Sequence, residues 1–255
     1  MRIVRYRAGH TARYGIVIDG KVHALRGNHP YGRRPIAGAE VGSLEQVSLL
    51  APCEPSKIVA IGRNYAAHAR EHGEEVPSEP LIFLKAPSAV IGPGAPIVLT
   101  PQSRQVEHES ELCIVMGRRA AGVSRAQALD YVFGYTCGND VTARDLQRTD
   151  GQWSRSKGFD TFCPLGPWIE NELDASNLAV SCRVNGETRQ SGRTADLVFD
   201  VPFLVSYISH IMTLMPGDVI MSGTPAGVSP IVAGDKVEVE VEGIGVLSNP
   251  VVSPK

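Results

Sequence analysis

Residues 106–117 read VEHESELCIVMG, and the stretch changes character halfway. Leu112, Cys113, Ile114, Val115 and Met116 form an apolar run, the pattern of a strand buried on both faces. Ahead of them Glu107, Glu109 and Glu111 alternate. In a strand, residues two apart lie on one face, about 6.6–7 Å from each other. Two readings fit. The glutamates could line an ordinary solvent-facing edge, or a cation held between two of them could relieve their repulsion. An all-oxygen site suits Mg²⁺, Mn²⁺ or Ca²⁺ better than Zn²⁺. A third ligand must then come from elsewhere. YTCGNDVTARDLQ (135–147) offers Asp140 at the end of another apolar strand, where a turn or cap residue is the competing reading.

Outward from this stretch the chain reads as short strands with a few helices. IVRYR (3–7), RYGIVID (13–19) and KVHALRG (21–27) are strands, and Asp19-Gly20 is a hairpin turn signal. A polar Gly/Pro/Arg-rich stretch (27–42) follows. These features predict a small β-rich N-terminal domain, residues 1–50, leaning on a main domain, residues 51–255. KIVAIG (57–62) is a strand, and Asn64 is a candidate cap for a helix through Ala66–Glu71 that ends at Gly73. PLIFLK (80–85) and PIVLTP (96–101) are strands. A helix starts near Ser124, and another near Asp200. The tail, 235–252, alternates as a strand with one wet face. The sum is a mixed α+β, β-dominated fold. The order of elements is not that of a Rossmann fold or a TIM barrel.

Several functions are disfavoured by composition. The chain has 255 residues, 43% hydrophobic and 20% charged, with a formal net charge of −2. No electrostatic case exists for nucleic acid or an acidic membrane. No apolar run approaches the roughly 20 residues that span a bilayer, and MRIVRYRAGHTARYG lacks the apolar core of a signal peptide. The five cysteines are scattered without a CxxC pair, as expected of buried thiols in a cytoplasmic protein. GxGxxG after a strand, GxxxxGK[ST], HExxH and GxSxG are all missing.

Seven segments occur in a telling order: GRNYAAHARE (62–71), PLIFLKAPSAV (80–90), HESELCIVMGRRA (108–120), GYTCGNDVTARDLQ (134–147), KGFDTFCPLGPW (157–168), VNGETRQ (184–190) and GDVIMSGTPAGV (217–228). Together they resemble the fumarylacetoacetate hydrolase superfamily across residues 57–250. The resemblance implies a β-sandwich roll and a homodimer. It also implies one Mg²⁺ or Mn²⁺ on Glu109, Glu111 and Asp140, with Glu107 left as an outer or solvent residue. Lys157 matches the family lysine. Thr224 matches the threonine of a G-T-P turn, where a backbone or hydroxyl donor would meet a ligand carboxylate. His68 and Glu71 match a catalytic H-x-x-E pair, three apart on one helix face, on a segment that with EEVPSEP (74–80) forms a lid. A surface salt bridge is the competing reading of that pair, and His72 is a candidate for a similar contact. Arg63, Tyr65, Arg144 and Gln147 are expected around the substrate.

The implied chemistry is a metal-stabilised enolate of a 2-oxo (enol) dicarboxylic acid. It fits a 2-hydroxyhepta-2,4-diene-1,7-dioate isomerase or 5-oxopent-3-ene-1,2,5-tricarboxylate decarboxylase of aromatic catabolism. The alternatives are an acylpyruvate (fumarylpyruvate) C–C hydrolase, an oxaloacetate decarboxylase, or a non-catalytic binder of 2-oxo acids.

Overall fold

Asp19 and Gly20 both adopt positive φ, 49° and 75°, which closes a tight hairpin between the strands Thr11–Ile18 and Lys21–Leu25. The structure, a computed structural model, describes residues 1–32, 34–71 and 73–254. The contact expected of His72 lies outside them. The polar stretch after the hairpin contains a further strand, Ala37–Ser43, which pairs with Lys21–Leu25. On the other side, Arg2–Ala8 pairs with Thr11–Ile18 and, through its own start, with Cys163–Glu170. The N-terminal strands therefore continue directly into the main sheet.

Twelve strands among the described residues make up that sheet. Its path runs Ala37–Ser43, Lys21–Leu25, Thr11–Ile18, Arg2–Ala8, Cys163–Glu170, Val132–Asn139, Ser110–Met116, Val219–Met221, Ile58–Gly62, Leu81–Lys85. Along this path only Val219–Met221 and Ile58–Gly62 lie parallel. A five-stranded sheet is built from Glu187–Arg193, Ala179–Val184, Lys236–Val241, Gly245–Val252 and Ile97–Val98. The alternating tail is thus a hairpin rather than one strand. Its chain reverses at residues 242–244, and Val237, Val239 and Val241 point inward.

The strand Ser110–Met116 is central, and each of its residues is buried. Leu112, Ile114 and Met116 pack with Val180, Cys182, Val239 and Leu247 from the second sheet. Cys113 and Val115 pack in a separate core with Ile3, Ile58, Leu165 and Met221. Two cores on two faces explain why this run shows no polar alternation. All five cysteines are buried free thiols.

The helices follow the sequence with two corrections. Helix Val201–Ile211 begins at Asp200, whose carboxylate accepts the Phe203 N–H at 2.9 Å. Val201, Leu204, Val205 and Ile208 face the core, at the i, i+3, i+4, i+7 spacing. The segment from Ser124 is a 3₁₀ helix, Arg125–Tyr131, and Ser124 makes no side-chain cap bond. Asn64 caps nothing either. It is fully buried, donates to the Phe199 and Ser222 carbonyls and accepts the Phe199 N–H, so it ties three segments together. The helix Ala66–Glu71 takes its first bond from the Tyr65 carbonyl instead.

Gly138 marks the tightest packing beneath the strand ends. A Cβ there would lie 2.2 Å from the Cys113 sulfur. Gly138→Ala is expected to destabilise the fold by about 1–3 kcal/mol through overpacking. Urea unfolding measures this, and a variant within error of the parent would contradict the packing described.

Candidate active site

The strand ends on which the glutamates sit are not continuous. Val106–Glu107 pairs with Thr142–Ala143, the chain then leaves the ladder at His108 and Glu109, and Ser110–Met116 begins a second strand. The Glu109 N–H donates to the Asn139 side chain, and its carbonyl accepts the Asp140 N–H. These two bonds hold the neighbouring turns in register and bring three carboxylates together. Oxygens of Glu109, Glu111 and Asp140 all lie within 4.8 Å of one another, and all three residues are buried.

Burial decides the fate of the third glutamate. Glu107 was expected to be an outer or solvent residue. It is 5% exposed and accepts the Arg144 Nε–H at 2.7 Å, with Gln105 donating to its other oxygen at 2.6 Å. A charge in that position must be paired, because leaving water unpaired is too costly. The solvent-edge reading therefore fails for all three glutamates.

Three cations answer the four acidic groups. Lys157, on the short helix Ser154–Gly158, donates to Glu109 Oε2 at 2.7 Å and to Asp140 Oδ2 at 2.8 Å. Lys85, at the end of Leu81–Lys85, donates to the other Asp140 oxygen and to the Lys157 carbonyl at 2.6 Å. Arg144 bridges Glu107 and Glu109 and also meets the Gln147 carbonyl oxygen. The fourth acidic group, Glu111, makes no ion pair among the described residues and accepts the Gly223 N–H at 2.7 Å.

The proton affinities follow this layout. Burial alone would raise Glu109, but Lys157 and Arg144 outweigh it and hold the carboxyl below its ordinary range. Burial would lower Lys157, yet Asp140 and Glu109 raise it, so it stays charged. Glu111 goes the other way. Burial first, then Asp140 and Glu109, push it well above the usual carboxylate range. Three close, buried carboxyl groups, one of them without an ion-pair partner among the described residues, form a donor set suited to a hard divalent cation. The triad could hold such an ion.

A cleft of about 300 Å³ opens over the triad. Of the residues singled out in the sequence, Arg63, His68, Glu109, Glu111, Asp140, Arg144, Gln147, Lys157 and Thr224 line it. Tyr65 and Glu71 do not. Tyr65 is buried, in an isolated bridge with Leu197, and its hydroxyl has no hydrogen-bond partner among the described residues. Glu71 stands behind His68, with its carboxylate 3.3 Å from His68 Nδ1. Both Glu71 oxygens also accept the Gly227 N–H, at 3.1 and 3.2 Å. Such a carboxylate favours the Nδ1–H tautomer and leaves Nε2 as the basic nitrogen. With His68 only 7% exposed, the pair is more than a surface salt bridge.

Thr224 also differs from expectation. Its hydroxyl donates to the Ser110 carbonyl at 2.8 Å and accepts from Gln190, so that hydrogen is not offered to a ligand. Arg63 sits in the left-handed region, φ 58°, with its guanidinium 2.8 Å from Glu74 at the cleft. Strain of this kind at a non-glycine residue is common at functional sites. The sequence reading passed over Lys85, Phe83, Trp153, Glu74 and Arg148. Phe83 and Trp153 meet edge to face at 5.2 Å, and Lys157 Nζ lies 5.1 Å from the Phe83 ring centre, giving one apolar wall to a charged floor. A lysine closing an apolar strand, PLIFLK, was the available signal for Lys85.

Comparison with known proteins assigns the family and the fold. The fumarylacetoacetate (FAA) hydrolase C-terminal family matches residues 57–252, and an Rv2993c-like N-terminal family matches residues 1–52. Protein Rv2993c of Mycobacterium tuberculosis is 50% identical over 227 residues, 88% of this chain and 85% of that protein. Oxaloacetate tautomerase FAHD2A, mitochondrial, of Bos taurus is 44% identical over 220 residues, 81% of this chain and 70% of that protein. The crystal structure of 5-carboxymethyl-2-hydroxymuconate delta-isomerase from Mycobacterium smegmatis superposes with a TM-score of 0.93 at 47% identity, covering 100% of both chains. With its strand-dominated fold and its carboxylate cleft, the chain belongs to the fumarylacetoacetate hydrolase superfamily.

Proposed function

We propose that the protein is an Mg²⁺- or Mn²⁺-dependent isomerase of 2-hydroxy-dienoic dicarboxylic acids, of which 2-hydroxyhepta-2,4-diene-1,7-dioate is the first candidate. Decarboxylation of 5-oxopent-3-ene-1,2,5-tricarboxylate could proceed through the same enolate. The observation that carries the proposal is the buried triad Glu109, Glu111 and Asp140, in which Glu111 has no ion-pair partner among the described residues, beside a charged Lys157. When bound there, the ion would act as a Lewis acid towards the negative charge that builds on the 2-oxygen.

The residues of the chain supply the rest. In the isomerisation the 2-hydroxyl gives up a proton, charge spreads along the conjugated chain, and a carbon further along takes a proton. Lys157, held charged by Glu109 and Asp140, stabilises the developing anion from its fixed position. His68, with Nδ1–H directed at Glu71, carries the proton on Nε2. Phe83 and Trp153 exclude water from the apolar part of the substrate. Arg63 and Arg148 line the cleft and are suited to the second carboxylate.

A second reading is keto–enol tautomerisation of oxaloacetate. The bovine relative named for that activity favours it, and it needs the same proton moved over a shorter path. Hydrolysis of an acylpyruvate would instead require His68 to activate water.

A panel of metal-supplemented assays separates these readings, with 2-hydroxyhepta-2,4-diene-1,7-dioate, enol-oxaloacetate, oxaloacetate decarboxylation and fumarylpyruvate as substrates. Isomerisation of the dienol that needs metal and vanishes in Glu109→Ala is the expected result. Oxalate binding with every substrate unchanged would instead leave a non-catalytic binder. Lys157→Met should lower kcat about 10²–10³-fold. His68→Gln should lower it about 10²–10⁴-fold, and a smaller loss would remove His68 from the proton path.

A dependence on pH follows from Glu111. Its folded-state value is raised, so its contribution to stability is full below the unfolded carboxylate range and is lost as pH climbs through the folded value. Glu111 would have to give up that proton to hold a divalent ion, so the stabilisation by Mn²⁺ should grow as pH rises. Melting temperatures with EDTA and with Mn²⁺ across pH 5–8 provide the check. A Mn²⁺ effect that does not vary with pH would rule out proton displacement at Glu111.

A further inference from the structure

VNGETRQ (184–190) was part of the family pattern but had no role in the site, and Gln190 does not line the cleft. It is nevertheless fully buried, with its amide bonded at both ends. Its carbonyl oxygen accepts the Ser110 N–H at 2.9 Å, and His108 Nδ1 lies 2.9 Å from the same oxygen. Its amide nitrogen donates to Thr224 Oγ1 and to the Pro225 carbonyl, both at 2.7 Å. The Thr224 hydroxyl donates in turn to the Ser110 carbonyl at 2.8 Å, which closes a ring around the backbone N–H and C=O of Ser110.

Ser110 is the residue between Glu109 and Glu111. On one edge its strand is paired throughout, Ser110 opposite Asn139. On the other edge the neighbouring strand Val219–Met221 pairs only with Cys113, Ile114 and Val115, and Ser222 reaches the Leu112 carbonyl. Beyond that point no strand among the described residues pairs with Ser110 on this edge. A side-chain amide carries the same donor and acceptor as a peptide group: from the strand Glu187–Arg193 of the other sheet Gln190 gives its acceptor to the Ser110 N–H directly and its donor to Thr224, whose hydroxyl bonds the Ser110 carbonyl. Gly223, next to Thr224, gives its N–H to Glu111. The ring therefore sets both the backbone that spaces Glu109 from Glu111 and the turn that orients the Glu111 carboxylate.

We infer that Gln190 is a positioning residue for the divalent-cation site, standing in for a missing strand at Ser110 so that Glu109 and Glu111 are held at ligand spacing. The inference rests on the metal-dependent reading above. It adds a residue from the second sheet that touches neither ion nor substrate. Outer residues that orient metal ligands are typically worth about 10–100-fold in metal affinity.

The test is a titration of the metal-stripped full chain with Mn²⁺, in which free Mn²⁺ is followed by electron paramagnetic resonance. The proteins compared are the parent, Gln190→Met, Thr224→Val and Val180→Ala. Methionine keeps the length and loses all four hydrogen bonds. Val180, buried in the neighbouring strand of the same hairpin, is the control for lost stability alone. Expected are a 10–100-fold weaker Kd for Gln190→Met, a smaller loss in the same direction for Thr224→Val, and no change for Val180→Ala at a comparable fall in Tm. If Gln190→Met does not fold, Thr224→Val opens the same ring from its other side and carries the test. Parent-like Mn²⁺ affinity in a folded Gln190→Met or Thr224→Val overturns the positioning role while leaving the metal site standing. A parent protein that takes up no Mn²⁺ overturns both.

Discussion

Ions buried in a low-dielectric interior must be paired, and much of this structure depends on that constraint. Glu109, Glu111 and Asp140 line the floor of the cleft, Glu107 lies beside them, and all four are buried. Their counterions arrive on separate elements: Lys85 on an edge strand, Arg144 at the start of helix Arg144–Thr149, and Lys157 on helix Ser154–Gly158. Each element must dock as it does for the charges to balance, so folding and site assembly are one event. Lys85 illustrates the coupling. It holds Asp140 with its ammonium and also donates to the Lys157 backbone carbonyl, so one side chain fixes the position of another cation.

The scaffold tolerates this burden because Ser110–Met116 is anchored on both faces. Leu112, Ile114 and Met116 belong to the core between the sheets, while Cys113 and Val115 belong to the core beneath the N-terminal strands. Full burial of one such side chain contributes about 1.5–3 kcal/mol. A strand gripped from two sides can carry acidic residues at its open end without fraying. The irregular turns Asn139–Asp140 and Ser222–Gly223 then supply the N–H groups that regular ladders would have consumed.

Around this rigid floor the cleft wall is lighter. Glu71 links the helix Ala66–Glu71 to the turn at Gly227, and Arg63 pairs with Glu74, both at partly exposed positions. Of these two, only Arg63–Glu74 is an ion pair, and an exposed one contributes little. The segment expected to act as a lid is thus joined to the body by contacts that a bound carboxylate could exchange at small cost.

Alternation and turn chemistry were enough to identify the N-terminal hairpin, the Asp200 cap, the buried strand 112–116 and the β-dominated class, since these depend on neighbours within a few residues. The triad was legible as spacing plus family resemblance. An i, i+2 pattern shows that glutamates share a face, but not whether that face is wet. Tertiary structure alone decided that Glu107 is buried against Arg144, that Lys85 belongs to the site, that Asn64 joins three segments instead of capping a helix, and that the Thr224 hydroxyl faces Ser110. The partners involved lie 37 to 158 residues apart in the chain, and no local period encodes a hydrogen bond across that distance. Local sequence determined which groups could become strands, turns and ligands; the packing of the sheets decided which charges would have to meet.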